Sequence, residues 1–506
     1  MSVLKKLAGE TATYGVSTML GRLLNYLLVM LHTQLFLPAQ LAVQVQLYTY
    51  AGLSFVIYTF GMETAYFRFA KKEEDRTAYY NLILSAVIVV SVLLSGSIYL
   101  FAESIAQFIQ YPEEVTLVRW MVIIMATDSV VAIPFARLRL EKKAKKFVKI
   151  RVINILLNIG FNLLFLLVCR DIYAEKYLAS LKPIVDLFYD PAMAPAYIIM
   201  ANLLANLSFL WFLRKELIDF KFIWNLSIFR PVWVYALPIM IMNIAGVTNL
   251  LFDRMFLQYL LPDGFYPGRT TKDAIGIYGQ AFKLSIFMNL AIQAFKYAAE
   301  PFFFSKAEDK NAPNVFADVM KWFVIVCVLM GVGILLNLDV LAALFLRKKI
   351  YHEGLVVVPW LLVGFLFLGI YYNLAAWFKL TDKTQYGTYL TITGASTTAL
   401  LNILLVPRLG YLGCAYAFAG SAFLMAGLCY YFGQRFYPVP YRVRSALGYV
   451  TSGGLLVYAA TLLPKANLWV SFGVNMLLFF TFTAIMLLVE RNTLPPRFSK
   501  VVQKKP

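Results

Sequence analysis

Charge is what this sequence has least of. Of its 506 residues only 14% are Asp, Glu, Lys or Arg, while 61% are hydrophobic; soluble domains carry about a quarter charged residues. That scarcity excludes an ordinary soluble globular protein. Catalytic signatures are missing too: there is no G-x-x-x-x-G-K, no H-E-x-x-H and no full G-x-G-x-x-G, and Gly331-x-Gly333 falls inside an apolar run. The four cysteines (Cys169, Cys327, Cys414, Cys429) sit in or beside apolar segments with no C-x-x-C spacing, so they read as buried free thiols. No metal site and no cofactor is implied. Long polar stretches are absent, and the largest connection expected outside, Arg170–Ala194, leaves little room for a soluble catalytic domain. A secretory signal is also missing. Lys5 and Lys6 precede an apolar run too long for a signal core, with no small-residue cleavage pattern, so it reads as a retained first span.

What the chain does have is a succession of apolar runs, each near the roughly 20 residues a helix needs to cross a bilayer. About fourteen are legible: Thr11–Phe36, Leu41–Phe69, Ala78–Phe101, Thr116–Leu140, Phe147–Cys169, Pro195–Leu213, Pro231–Leu260, Ala274–Phe304, Phe316–Asn337, Leu355–Phe378, Gln385–Val406, Tyr411–Phe432, Val443–Leu463 and Leu468–Val489. The expectation is an all-α polytopic membrane protein. A formal net charge of +19 would suit nucleic acid, but its distribution points elsewhere. With Met1 cytoplasmic, the inner loops and tails hold more than twice as many Lys and Arg as the outer loops, which is the positive-inside pattern. Both termini are then cytoplasmic, and no basic patch interleaved with stacking aromatics lies outside the spans. The run Glu141–Lys146 and the basic tail would suit anionic membrane lipid, though ordinary topology charge accounts for them.

The chain also repeats itself. A helical pair at Thr11–Lys72 returns at Tyr235–Lys310, with Tyr14 and Tyr235 opening the copies and Pro38 and Pro262 ending their first helices. The closing segments Phe60–Glu74 and Phe295–Asp309 coincide at Phe60/Phe295, Phe67/Phe302, Phe69/Phe304, Lys71/Lys306 and Glu73/Glu308. Six spans per copy is an even number, so both copies enter from the same face and a pseudo-two-fold axis should lie along the membrane normal. The expected division is a six-helix lobe over 1–220, a second over 221–434, two appended helices over 435–490 and a basic cytoplasmic tail over 491–506.

Charges inside spans cost about 3 kcal/mol each on insertion scales, so they normally face a cavity or a partner. The first span puts Tyr14, Thr18, Arg22, Asn25 and His32 on one stripe. The seventh carries Asn243, Gly246, Asn249 and Asp253 on one face with Arg254 beside it; the eighth carries Gln280 and Lys283. The fifth presents Asn154, Asn158 and Asn162 four apart, and the fourth contributes Asp128. Glu63, Arg68, Lys296 and Glu300 lie near span ends, where snorkelling or local pairing suffices. Arg22 and Lys283 are nearest mid-span and are expected to line a cavity. Asp253 and Arg254 form either a structural pair or part of that lining. The asparagines either glue helices together or offer sugar hydroxyls both donors and acceptors. The midplane charge leans cationic, which favours an anionic, phosphate-bearing ligand. Arg22, Asn25, Lys283, Arg254, Asn158 and Asn162 are therefore the candidate substrate-binding residues. Asp128, Asp253, Glu63 and His32 are the candidates for ion coupling.

At these residues the chain resembles the lipid-linked oligosaccharide flippases of the multidrug/oligosaccharidyl-lipid/polysaccharide exporter superfamily. Y-G-V-S-T-M-L-G-R-L-L-N-Y (Tyr14–Tyr26) is similar to that family's first helix, with Arg22 at its buried basic position. G-M-E-T-A-Y-F-R-F (Gly61–Phe69) resembles the end of its second. L-N-I-L-L-V-P-R-L-G-Y-L-G-C-A (Leu401–Ala415) resembles the link between its eleventh and twelfth. The resemblance implies two six-helix lobes, helices thirteen and fourteen appended, and alternating access. It also implies movement of a polyprenyl-diphosphate-linked sugar chain across a bacterial inner membrane, with a polysaccharide polymerase as partner. Lipid II flippases, near relatives, typically hold several cavity arginines, whereas this first span has only Arg22. Multidrug exporters of the superfamily usually have twelve spans and acidic sites. A membrane-embedded glycosyltransferase or polymerase would want paired carboxylates on outer loops, where only Asp186 and Asp190 stand.

Overall fold

The computed structural model describes residue 24 and residues 26–70, 76–306, 309, 311–464 and 467–491. Every regular element among them is helical. The helices are α1 (Tyr26–Leu35), α2 (Pro38–Phe69), α3 (Arg76–Leu100), α4 (Pro112–Leu140), α5 (Ala144–Tyr173), α6 (Pro191–Phe212) and α7 (Leu226–Leu260). They continue as α8 (Thr271–Lys306), α9 (Ala312–Leu336), α10 (Lys349–Leu380), α11 (Gln385–Leu409), α12 (Tyr411–Phe436), α13 (Val443–Thr461) and α14 (Leu468–Val489). Twelve of them, α2 to α12 and α14, are long and apolar enough to cross a membrane. The second to fourteenth apolar runs anticipated from the sequence each have their helix, the first is described as a helix only from Tyr26 to Leu35, and α13 is the shortest of the long helices at 19 residues. Much of the first run, with Arg22 and Asn25, lies outside the described residues, as do Lys71, Glu73, Glu308 and the tail beyond Arg491.

Local chemistry sets the helix ends. Pro38 opens α2 at a position that needs no amide proton, and Gln40 folds back to accept from Leu37 N at 2.8 Å. Asn225 caps α7 by accepting from Ser227 N and Ile228 N, and Asn467 caps α14 through Trp469 N. α2 breaks once, at Phe60–Gly61, where both residues are left-handed (φ 31° and 76°) and the backbone meets Ala236 of α7. Its counterpart α8 runs unbroken through 36 residues, so the two copies differ in bending while sharing their plan. Gly410 alone joins α11 to α12, at φ 57°, with Tyr266 packed where a side chain would go.

The first half packs α2, α3, α4, α5 and α6 together; the second packs α7, α8, α10, α11 and α12. α2 then crosses to lie against α7 and α8, joining the halves. α13 and α14 pack on α9 and present Leu447, Leu455, Leu477 and Phe480 outward, all more than half exposed, as suits a lipid-facing surface. A charge holds them there. Lys321 of α9, 1% exposed at its side chain, meets Glu490 at 2.5 Å, and Tyr449 of α13 donates to the same carboxylate at 2.5 Å. Glu490, at the end of α14, belongs to this clamp. Removing one member strands a buried charge, a loss of about 3–5 kcal/mol. Lys321→Ala should therefore melt earlier in detergent, whereas Lys321→Met/Glu490→Leu, which removes both charges, should recover most of the loss.

Candidate functional site

Between the two halves lies a cavity of about 480 Å³, within the roughly 300–1,000 Å³ typical of ligand sites. α1, α2, α5 and α6 supply one side; α7 and α8 supply the other. Four of the six candidate binding residues line it: Arg254, Lys283, Asn158 and Asn162. His32 lines it as well, while Arg22 and Asn25 lie outside the described residues. Polar residues not singled out from the sequence complete the wall, namely Gln44, Tyr48, Thr49 and Asn202. The described lining contains no Asp or Glu.

The polar groups are held in place by one another. His32 Nε2 sits 2.9 Å from Asn162 Oδ1, and Asn162 Nδ2 donates to Asn158 O at 2.8 Å and its amide oxygen at 3.2 Å. Lys283 Nζ donates to Gln280 Oε1 at 2.9 Å, one helical turn away. The Gln44 amide oxygen is buried and accepts no hydrogen bond from the described residues. Arg254 reaches the cavity from a buried pair: its Nη1 lies 3.1 Å from Asp253 Oδ1, with both side chains under 10% exposed. Asp253 also accepts from Tyr278 and from Arg254 N, and the guanidinium stacks 4.2 Å over Phe282. Asp253 is thus spoken for by neighbours, and Arg254 is the member of the pair that faces open space.

The remaining ion-coupling candidates sit apart. Asp128 is not among the cavity-lining residues; it accepts from Asn206 at 3.1 Å inside the first half. Asn154 donates to Ala205 O and Asn206 Oδ1, joining that network and parting company with Asn158 and Asn162. Glu63 pairs with Arg139 across α2 and α4. Of the two outer-loop carboxylates weighed as catalytic, Asp190 accepts from Ala192 N at 2.8 Å and caps the turn that opens α6. In the same loop Lys182 bonds Glu175 at 2.5 Å and holds its carboxyl below the usual range.

The cavity is closed at the Pro38 end. There the α2 backbone at Pro38 packs directly on Gly276, leaving no room for a side chain, and Val45 packs on Gly279. Gln46 donates to Gln258 and to Arg254 O; Gln258 in turn donates to Ile109 O. Tyr50 and Tyr259 hydroxyls meet at 3.0 Å. Thr33 donates to Phe345 O and Tyr351 to Phe36 O, fastening α1 to the second half. All these contacts join one half to the other, and none is an ion pair.

Two packed helical halves thus enclose a polar, cation-bearing chamber and are fastened to each other at one end of it. Residues 34–176 match the family model described as "Polysaccharide biosynthesis protein". No curated protein sequence matches at a significant level. Among solved structures the chain is similar to one described as "Lipid II flippase MurJ, inward closed conformation", with TM-score 0.69 and 14% identity over 94% of this chain and 98% of that one. It is also similar to an inward-facing multidrug resistance MATE family transporter of the MOP superfamily (TM-score 0.62, 14% identity, 86% and 94% covered). A Vibrio cholerae MATE transporter matches at TM-score 0.57 and 14% identity, covering 85% and 96%. The chain has the fold of this exporter superfamily, as the resemblance in its sequence implied.

Proposed function

We propose that the protein is a flippase that moves a polyprenyl-diphosphate-linked oligosaccharide across the bacterial inner membrane by alternating access. It acts by relocation and makes or breaks no covalent bond. The observation that carries the reading is the lining of the central cavity: an ammonium at Lys283 and a guanidinium at Arg254 beside a row of amides at Asn158, Asn162, Asn202 and Gln44. Fixed cations suit a diphosphate, and amides offer each sugar hydroxyl a donor or an acceptor. Arg22 and Asn25, on the same sequence stripe as His32, extend this lining in the proposal. The family model over residues 34–176 supports a polysaccharide substrate over a drug, and a lining without described acids is poorly suited to the cationic drugs a multidrug exporter would carry. The lobes 1–220 and 221–434 would rock against each other about the chamber, with residues 435–490 riding on the second. Met1 and the tail would lie on the cytoplasmic side, so the sealed Pro38 end faces outward and the chamber loads from within. Coupling to an ion gradient would fall to Asp128, Asp253, Glu63 or His32, of which only His32 lines the chamber. A polysaccharide polymerase would receive the product outside.

The test is reconstitution of the full chain into vesicles with a fluorescent polyprenyl-diphosphate oligosaccharide, following its appearance in the opposite leaflet. Acceleration over protein-free vesicles, with no effect on a fluorescent cationic drug, is expected. Folded protein that moves the drug and not the lipid-linked sugar would replace the reading with that of a drug exporter.

A further inference from the structure

Arg151 of α5 is an exposed cation that the chamber lining does not include. Its guanidinium lies on a bed of rings, 4.2 Å over Phe135 of α4, 5.3 Å over Phe209 of α6 and 5.8 Å over Phe147, one turn back on α5. The three rings are buried. Phe135 packs edge-on against both of the others, at 5.3 Å and 5.2 Å, so the bed is rigid. Among the described residues no carboxylate pairs with Arg151, and none accepts a hydrogen bond from its N–H groups. Asp128, Arg139 and Glu63 act on it only through space; Asp128 is bonded to Asn206 and Glu63 to Arg139.

The helix it stands on shows which way this exposure points. On α5 Leu156, Leu163 and Leu164 are 55%, 41% and 39% exposed. At about 100° per residue they lie roughly 120–220° round from Arg151, as a lipid-facing stripe opposite it would. Asn158 and Asn162, which line the chamber, lie within about 20° of Arg151. Arg151 is therefore on the chamber's side of α5, about 10 Å further from the Pro38 seal than Asn158. α6, which runs the other way, agrees: Phe209 stands seven residues beyond the chamber-lining Asn202, again about 10 Å. The guanidinium thus lies below the chamber, in line with its row of amides.

We propose that Arg151 is the first docking point for the cargo's diphosphate, met on the way in from the end opposite the seal and before Lys283 and Arg254. This rests on the flippase reading above. A guanidinium held flat on rings keeps its edge free, and that planar fork of N–H groups matches two phosphate oxygens. The ring bed already restricts the side chain, so little freedom is lost on binding. No carboxylate has to be displaced first, as one would at Arg254. Asn158 and Asn162 then offer hydrogen bonds along the same face up to the chamber. The diphosphate leaves Arg151 before the lobes rock, so loss of the residue is felt in capture and not in turnover.

The experiment is flipping by the full chain in vesicles, with initial rates measured against the surface density of a fluorescent polyprenyl-diphosphate oligosaccharide. Arg151→Gln is expected to raise the half-saturating density about tenfold or more, the loss of one charge-assisted bond, and to leave the maximum rate unchanged. Arg151→Met, which still packs over the rings, should do the same. Arg151→Lys, which keeps the charge and loses the fork, should fall between. Lys283→Gln should instead lower the maximum rate. Farnesyl diphosphate should compete with the cargo in the wild type and do so about tenfold more weakly in Arg151→Gln. An arginine that only supports packing would show as lower melting temperatures and a reduced maximum rate in Arg151→Gln. That result, or half-saturation at the wild-type density in Arg151→Gln and Arg151→Met, overturns the inference and leaves the flippase reading standing. A wild type that moves no lipid-linked sugar overturns that reading, and this one with it.

Discussion

Lys283→Gln should slow flipping of a diphosphate-linked sugar by about 10- to 100-fold while the protein folds as before. A hydrogen bond to a charged group is worth about 1.5–3 kcal/mol, and each 1.4 kcal/mol is a factor of ten. Glutamine, one atom shorter, removes the charge and keeps a group able to hydrogen-bond. The side chain lines open space and is half-buried, so its loss leaves no void in a packed core. Lys283→Arg, which restores the charge, should recover most of the rate. The comparison with Arg254 sharpens the point. Arg254→Gln alone strands the buried Asp253 carboxylate, a loss of about 3–5 kcal/mol, and the resulting fall in transport would mix folding with binding. Asp253→Asn/Arg254→Gln removes both charges and isolates the contribution of the guanidinium to the chamber. Initial flipping rates in vesicles, set beside melting temperatures in detergent, separate the two effects. Lys283→Gln at the wild-type rate, with an unchanged melting temperature, would sink the diphosphate reading of the cavity.

How much of this was legible in the sequence varies with the distance over which each feature is encoded. Hydropathy runs are local, and the second to fourteenth each gave a helix. The adjacent Asp253 and Arg254 were visible as a pair, though not that the arginine alone faces the chamber. Spacing left one point open. Residues four apart on a helix advance by 400°, so each step drifts about 40° around the axis. From Asn154 to Asn162 the drift is about 80°, enough to turn Asn154 towards Asn206 while Asn158 and Asn162 face the cavity. Gln44 and Asn202 escaped notice because an amide in a span serves helix packing as readily as a cavity. The Lys321–Glu490 clamp was out of reach altogether, since its partners are 169 residues apart. Asp128 and Glu63 have the residue type expected of a coupling site, and only tertiary packing reveals that each already has a neighbour in the first half.

A cross-link across the seal should stop transport outright. An ideal Cβ at Gly279 of α8 would stand 3.4 Å from Val45 Cβ of α2, close to the roughly 3.5–4.5 Å that a disulfide spans. Val45→Cys/Gly279→Cys should therefore oxidise readily. The seal is made of amide, hydroxyl and backbone contacts with one ammonium, Lys348 Nζ donating to Leu35 O at 3.1 Å, and most such bonds are worth only about 0.5–1.5 kcal/mol net. A covalent bond would hold it closed. Flipping in the oxidised double variant is expected to fall to the protein-free background and to return on reduction. The native thiols at Cys169, Cys327, Cys414 and Cys429 are all buried, and oxidant should leave the wild type unaffected. Each single cysteine variant, treated alike, controls for the added side chain at Gly279. Full activity of the oxidised form, with the cross-link verified by mass, would mean that cargo crosses without parting α2 from α8. The two halves would then not be the moving units, and the chamber would have to open along another seam.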